Sequence, residues 1–265
     1  MQVAVRDDEP VTDRVERVTA AVRAQAGHDL VVLPELWPVG GFAYRHWAER
    51  AETLDGPTVT ALRSAARDAG VVLHAGSVVE RDPTASGAGH GRWNTSILIG
   101  PDGELLATYR KVHLFGFADG EPALLDPGTE VVTVDVPRPT SGGDPVRVGL
   151  ATCYDLRFPE LYRALQDGGA QVLLTCAAWP AVRVGHWTLL SRARAVENQA
   201  FVVGCNAAGT DSGHPMGGRS LVVDPSGAVL AEAPADGDHV LSVPLDVDGL
   251  AGLRAQFPVL ADRRL

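Results

Sequence analysis

The chain has 265 residues, and 45% of them are apolar, which is enough for a large buried core. Its 33 acidic residues outnumber its 23 basic residues, and the formal net charge is −10. No stretch is rich in Lys or Arg. This charge balance argues against a nucleic acid or an anionic membrane surface as a partner.

Cysteine usage and the first residues indicate the compartment. The three cysteines, Cys153, Cys176 and Cys205, are widely spaced and include no C-x-x-C pair. Neither a disulfide framework nor a cysteine zinc site is expected from such spacing. The first ten residues lack the basic and apolar segments of a signal peptide, and no apolar run approaches the roughly 18 residues of a membrane span. These observations predict a soluble, reduced, cytoplasmic protein.

Apolar, β-branched runs recur along the chain and have the composition of strands. Several are apolar on both faces, as the central strands of a covered sheet are. The turn sequences GPDGE and DPSGA predict two hairpins between neighbouring runs. In chain order, the runs are residues 1–5, 29–35, 71–80, 94–100, 104–112, 131–136, 146–153, 170–176, 201–209, 219–224, 228–233 and 239–246.

Segments with the period of a helix lie between some of these runs. The clearest segment, residues 57–69, begins with a proline in its first turn and stops before a glycine, which is typical of a helix with defined ends. Alternating strands and helices, combined with hairpins, indicate an α/β fold built in layers. The irregular stretches are too short to be linkers, so we expect one domain over residues 1–265. The four helical segments are residues 11–26, 57–69, 158–167 and 185–199.

Three of the predicted strands end in a reactive side chain. Glu35, Lys111 and Cys153 each close a run that is otherwise largely apolar. In sheet proteins with helices on their faces, ligands bind outside the carboxyl ends of the strands. A carboxylate, an amine and a thiol at three such ends could therefore meet at one site.

Each of these side chains also has an ordinary structural explanation. Glu35 could turn to solvent, Lys111 could lay its stem along the surface, and Cys153 could be a small core residue. However, the apolar flanks of Glu35 would raise its pKa toward that of a general base. Lys111 is the only lysine of the chain, and a compact cation with an adjustable pKa cannot be replaced by arginine. A nearby helix start and a nearby lysine could lower the pKa of the Cys153 thiol.

The remaining cysteines and the histidines leave one alternative open. Cys176 and Cys205 lie in apolar strands without charged neighbours, and we interpret both as core residues. The eight histidines are scattered and lack the close pairing of a helix-borne zinc motif. His113 and His186 remain candidates for a Cys–His hydrolase pair, in which imidazole activates the thiol.

Read together, the three motifs resemble the nitrilase, or carbon–nitrogen hydrolase, superfamily. The matching segments are DLVVLPELW around Glu35, YRKVHLF around Lys111 and GLATCYDLRFPELYR around Cys153, in the order of the family. The resemblance extends over nearly the whole chain and is strongest to the ω-amidase and Nit-type amidases. It implies a four-layer αββα sandwich, a homodimer, and hydrolysis of a non-peptide C–N bond without a metal or organic cofactor.

Residue by residue, the resemblance implies a role for each member of the site. Cys153 is similar to the nucleophile, Glu35 to the general base, and Lys111 to the cation that stabilises the tetrahedral intermediate. Glu121 follows the lysine at a short interval and fits the second glutamate of the family. We expect the backbone N–H of Tyr154 to meet the oxyanion as well. The substrate would be a small-molecule amide, cleaved through a thioester to ammonia and the acid.

The amidases most similar in sequence cleave small amides that carry a carboxylate. Arg157 is a candidate partner for that carboxylate, although a salt bridge to Asp155 or Glu160 is an alternative. Tyr154, Phe117 and Trp179 are candidate pocket walls, with core packing as at least an equal alternative for each. Nitrile or N-carbamoyl hydrolysis by the same three residues remains open, and so does an inactive binding protein on the same fold.

Overall fold

The computed structural model describes residues 1–84, 89–116 and 119–264. The helices in these ranges are α1 (Val11–Arg23), α2 (Tyr44–Arg50), α3 (Pro57–Ala69), α4 (Pro159–Asp167), α5 (Val184–Asn198) and α6 (Leu250–Gln256). The strands are β1 (Ala4–Val5), β2 (Leu30–Val32), β3 (Val72–Arg81), β4 (Arg92–Ile99), β5 (Leu105–Arg110), β6 (Thr133–Val136), β7 (Val146–Thr152), β8 (Val172–Ala177), β9 (Phe201–Asn206), β10 (Ala208–Asp211), β11 (His214–Pro215), β12 (Leu221–Val223) and β13 (Val229–Glu232).

Two sheets form the centre of the molecule. The smaller has the order β2-β3-β4-β5, and the larger has the order β13-β12-β9-β8-β7-β6. Strands β7, β8 and β9 are parallel to one another, as are β2 and β3. The other pairs of these two sheets are antiparallel, including the predicted hairpins β4–β5 and β12–β13. Strands β1, β10 and β11 form a small third sheet.

Alternate strand residues enter two different cores, as the period of two requires. In the smaller sheet, Leu73 and Ile97 pack with the apolar faces of α1 and α3. Val72 and Leu98, one position away, pack with residues of the larger sheet. Helices α4 and α5 pack on β7 and β9 of that larger sheet. The layers therefore run helix, sheet, sheet, helix, and the expected αββα sandwich is confirmed.

The predicted helices form, with ends that differ by a few residues. Helix α3 begins at Pro57 and ends before Gly70, as predicted, and Gly70 has a φ of 66°, the left-handed conformation that glycine adopts at helix ends. Helix α1 ends three residues earlier than predicted, at Arg23. The short helices α2 and α6 were not predicted, because seven residues are too few for a clear period.

The predicted strand at residues 239–246 was wrong. Of these residues, only His239 forms a bridge, and its partner is Gln2. Burial still alternates along the segment as it would in a strand. Its apolar residues line a cavity of about 440 Å³ that also reaches β2, and apart from His239 none of them pairs with a strand.

Candidate active site

Glu35 lies in a turn beyond the end of β2 and is only 3% exposed. The turn can pack closely because Gly76 lacks a side chain: a Cβ there would lie 1.8 Å from the carbonyl oxygen of Pro34. Glu35 Oε2 accepts a hydrogen bond from the backbone N–H of Ala178 at 2.8 Å. The carboxylate is therefore oriented by the larger sheet, although the smaller sheet carries it.

Lys111 follows β5 directly, and its side chain is 1% exposed. Its Nζ lies 2.7 Å from Glu35 Oε1 and 2.8 Å from Glu121 Oε2. Asn94 on β4 completes the cluster, because its Nδ2 donates to Glu35 Oε1 at 2.8 Å and to Glu121 Oε1 at 2.9 Å. The sequence analysis missed Asn94, although a run of three polar residues inside an apolar strand was a signal for it.

The pKa values of Lys111 and Glu121 are shifted because these groups are buried together with Glu35. Burial alone would lower the pKa of Lys111, but the charges of Glu121 and Glu35 outweigh it and hold the pKa well above its ordinary value. Burial raises the pKa of Glu121, and the charge of Glu35 adds to the rise while Lys111 opposes it. The ammonium is thus held charged between two carboxylates that compete for it.

Cys153 follows β7 and begins a 3-10 turn, Cys153–Arg157. Its φ of 47° lies in the left-handed region, which is uncommon for a residue other than glycine. Burial raises the pKa of its thiol well above the ordinary value, the charge of Glu35 raises it further, and Lys111 opposes the rise. The expectation of a lowered thiol pKa was therefore wrong, since burial and the carboxylate outweigh the lysine. A neutral thiol needs a base to become a nucleophile.

A small cavity opens beside Cys153, with a volume of about 20 Å³. Tyr154 and two of the predicted substrate-binding residues, Arg157 and Trp179, line this cavity together with Cys153. Phe117 lies outside the described residues. Arg183, which the sequence analysis missed, adds a second guanidinium to the wall. The lining residues are Phe42, Phe115, Cys153, Tyr154, Arg157, Ala178, Trp179, Pro180 and Arg183.

Arg157 contacts an aromatic ring and an imidazole. Its guanidinium carbon lies 4.7 Å from the centre of the Trp179 ring, and both Nη atoms lie 3.3 Å from His186 Nδ1. Within the described part of the chain it forms no ion pair, so the alternative of a salt bridge to Asp155 or Glu160 was wrong. The Asp155 carboxylate is occupied by other donors. The Arg157 cation thus reaches the cavity without a carboxylate partner.

Tyr154 is the second residue of the turn that Cys153 begins. The backbone N–H groups in a first helical turn have no acceptor within the helix, so the Tyr154 N–H remains available beside the thiol. Its ring packs edge-on against Phe115 and Phe158, with ring centres 5.3 Å and 5.2 Å apart. This packing fixes the turn in the wall of the cavity.

The histidines do not form a pair with Cys153. His113 contacts Asp155 through Nδ1 at 2.7 Å, and His186 contacts Arg157. Neither lines the cavity, so the Cys–His alternative has no geometric support.

Cys176 and Cys205 are at most 2% exposed, and their interpretation as core residues is confirmed. Across the described ranges, no three His, Cys, Asp or Glu side chains are grouped so as to hold a metal ion. Within the same ranges, no helix has the length and apolar character needed to cross a membrane.

Comparison with known proteins identifies the family of this chain. Residues 1–255 match the family model of carbon–nitrogen hydrolases. A 2-oxoglutaramate amidase from Paenarthrobacter nicotinovorans is 45% identical over 266 residues, which cover 100% of this chain and 88% of that protein. The human omega-amidase NIT2 is 36% identical over 96% of this chain and 90% of its own.

A solved structure shares the fold as well. A mutant of the amidase from Nesterenkonia sp. AN1 superposes with a TM-score of 0.76 at 28% identity, covering 89% of this chain and 85% of that one. It carries the acetamide moiety of fluoroacetamide covalently at its active-site cysteine. The resemblance inferred from the three motifs is confirmed. The chain belongs to the carbon–nitrogen hydrolase family.

Proposed function

We propose that this protein is an amidase that uses Cys153 to hydrolyse small amides bearing a carboxylate at the far end. The observation that carries the proposal is the buried cluster of Lys111 with Glu35 and Glu121, at 2.7 Å and 2.8 Å, next to the thiol of Cys153. A buried cation held between two buried carboxylates serves no structural need that an apolar side chain would not meet. The cluster does suit acyl transfer to a thiol.

Acylation begins with the proton of the thiol. Glu35 accepts it, and the thiolate attacks the amide carbonyl carbon. Negative charge develops on the carbonyl oxygen, where the ammonium of Lys111 and the backbone N–H of Tyr154 stabilise it. Glu35 then returns the proton to the amide nitrogen, the C–N bond breaks, and ammonia leaves. The acyl group remains on Cys153 as a thioester.

In deacylation, water replaces the thiol as the nucleophile, and Glu35 again acts as the base. Glu35 takes a proton from water, and the oxygen adds to the thioester carbonyl. The second tetrahedral intermediate forms in the same place, so Lys111 acts twice. When the C–S bond breaks, the proton on Glu35 returns to the sulfur of Cys153 and the carboxylic acid leaves. Glu121 exchanges no proton in this scheme, because its role is to hold the ammonium.

Arg157 indicates the class of substrate. Its guanidinium has no carboxylate partner among the residues that the structure describes, and it borders the cavity that contains Cys153. Because a guanidinium binds a carboxylate through two parallel hydrogen bonds, Arg157 can hold the far end of an ω-amide while its amide group meets the thiol. The names of two relatives, a 2-oxoglutaramate amidase and an omega-amidase, point to the same class.

The test is a screen for ammonia release. It covers succinamate, glutaramate, 2-oxoglutaramate, aliphatic nitriles and N-carbamoyl amino acids, with the Cys153→Ala protein as the blank. We expect turnover of the ω-amides only, and none in the blank. Faster turnover of nitriles or carbamoyl compounds would favour the alternative reactions, and no turnover of any compound would favour an inactive binding protein.

A matched pair of substrates tests the role of Arg157. Arg157→Met keeps the length of the stem and removes the charge. We expect it to raise the KM for glutaramate about 10- to 100-fold, as the loss of one charged hydrogen-bonded pair would. The KM for butyramide, which has no carboxylate, should change little. Equal effects on both substrates would contradict the assignment.

We also propose that the protein is a homodimer of the cytoplasm. The support for a dimer is an apolar stripe at α5: Val182, Leu189 and Val196 are spaced by seven residues and are 84%, 65% and 48% exposed. An exposed stripe of this kind marks an interaction surface. Sedimentation at the monomer mass, or no change in mass for Leu189→Glu, would contradict the dimer. The three free cysteines suit a reducing compartment, which cell fractionation tests.

A further inference from the structure

One buried carboxylate links the two chain segments that carry the reacting groups. Asp155 has no exposed surface and does not line the active-site cavity. Its Oδ2 accepts the backbone N–H of Thr152 at 2.8 Å and the hydroxyl of Tyr109 at 2.7 Å. Its Oδ1 accepts the backbone N–H of His113 at 3.0 Å and the Nδ1–H of the same residue at 2.7 Å. An ionised carboxylate has about four acceptor positions, so all of them are in use.

On one side, these bonds enclose Cys153. The hydroxyl of Thr152 accepts the backbone N–H of Asp155, and the carboxylate of Asp155 accepts the backbone N–H of Thr152. This reciprocal pair spans the strained φ of 47° at Cys153. A residue other than glycine keeps such a conformation only where its surroundings hold it. These two hydrogen bonds between Thr152 and Asp155 therefore hold the backbone of Cys153 in its conformation.

On the other side, the bonds enclose Lys111. Tyr109 stands two residues before it and His113 two residues after it, and both donate to Asp155. The Tyr109 hydroxyl also accepts the backbone N–H of Val112 at 3.3 Å. Burial raises the pKa of Tyr109 well above its ordinary value, and the charge of Asp155 adds to the rise, so the hydroxyl keeps its proton. The backbone on both sides of Lys111 is thus tied to the turn of the nucleophile.

We propose that Asp155 is a positioning residue that sets the separation between the ammonium of Lys111 and the thiol of Cys153. The consequence for turnover rests on the proposed function, in which the ammonium must meet an oxyanion formed at the thiol. Asp155 acts only through its neighbours, because it has no surface in the cavity. A misplacement of about 1 Å in such a site lowers the rate about 100-fold.

The test compares Asp155→Asn, Tyr109→Phe and the double variant. Asparagine cannot accept hydrogen bonds at its amide nitrogen. Tyr109→Phe removes one of the bonds between Asp155 and the lysine segment and the acceptor of the Val112 N–H, and it leaves the two bonds from His113. We expect kcat to fall about 100-fold in Asp155→Asn and about 10-fold in Tyr109→Phe, with KM changed less than about threefold in both. The double variant should be slower than Asp155→Asn by less than the single effect of Tyr109→Phe, because both changes weaken the same connection between the two segments. Tyr162→Phe is the matched control: it removes an equally buried hydroxyl, bonded to Thr175 at 2.8 Å, and should leave kcat unchanged.

A second readout does not depend on turnover. Burial and Glu35 raise the pKa of the Cys153 thiol and Lys111 lowers it, so a displaced Lys111 should slow alkylation of the thiol by iodoacetamide at fixed pH. We expect slower alkylation in Asp155→Asn and Tyr109→Phe, and the wild-type rate in the control, even if no amide is hydrolysed. If Asp155→Asn does not fold, Tyr109→Phe alone decides. A folded Tyr109→Phe with wild-type kcat and alkylation rate would overturn the proposal.

Discussion

Replacement of Lys111 is the most direct test of the buried cluster. Lys111→Met removes the charge and keeps the apolar stem, whereas Lys111→Arg keeps the charge and enlarges the head group. At 2.7 Å and 2.8 Å, each ion pair is worth about 6 kcal/mol at an effective dielectric constant of about 20. Desolvation of the ions offsets much of this, so removing one partner of a buried cluster costs about 3–5 kcal/mol.

That cost falls on the stability of the fold. In the transition state, Lys111→Met removes one oxyanion donor, which is worth about 2.7–4 kcal/mol, so at about 1.4 kcal/mol for each factor of ten kcat should fall about 100- to 1,000-fold. Lys111→Arg should lower it about 100-fold. The guanidinium is larger than the ammonium, and forcing it into a site that is only 1% exposed costs about 1–3 kcal/mol and shifts the carboxylates.

The assay measures kcat and KM by ammonia release, with thermal unfolding of each variant as a control for folding. We expect both variants to fold and KM to change less than kcat, because the lysine acts in the transition state. A Lys111→Arg protein with kcat within about threefold of the wild type would refute the reasoning. It would show that the position needs only a positive charge and no defined geometry.

Three further outcomes follow from the structure. Asn94→Leu, which removes the shared donor to Glu35 and Glu121, should lower kcat about 10- to 100-fold, and ammonia release at wild-type kcat would show that the amide is dispensable. His74 is fully buried, which lowers its pKa from 6.5 to about 4, so the unfolded chain binds this proton first as the pH falls. The contribution of His74 to the free energy of unfolding is complete above about pH 6.5 and declines by about 3 kcal/mol toward pH 4. In urea unfolding, His74→Leu should lack that part of the decline. Parallel plots of unfolding free energy against pH for the wild type and the variant would contradict this expectation. Prolonged EDTA treatment should leave ammonia release unchanged, whereas a loss restored by a metal ion would revive the zinc interpretation.

The strands, hairpins and longer helices could be predicted because they depend on local patterns. Alternation of apolar residues, turn sequences such as GPDGE and the stop at Gly70 act within a few residues. Residues 239–246 have the same local pattern, yet they form no strand. A strand needs a neighbouring edge, and no local pattern shows whether one is present.

Part of the active site could also be predicted from local sequence patterns. Glu35, Lys111 and Cys153 interrupt apolar runs, so their chemistry is visible in the sequence itself. The roles of Asn94 and Asp155 are visible only through their contacts, although the polar run at Asn94 marks its place in the sequence. Asn94 reaches a carboxylate 59 residues away, and Asp155 binds a hydroxyl 46 residues away. Such roles depend on how two sheets meet, and a single sequence does not contain that information.

The burial of Lys111 gives the folded protein an internal reporter. Since the chain has no other lysine, an amine-reactive ester has one side-chain target, and that target is 1% exposed in the native state. Apart from the amino terminus, labelling requires the chain to open at this point. A mass increase by one label at Lys111 would therefore count molecules in which the carboxylate cluster has come apart. The rate of that increase measures the opening of the catalytic centre directly, without a substrate and without a mutation.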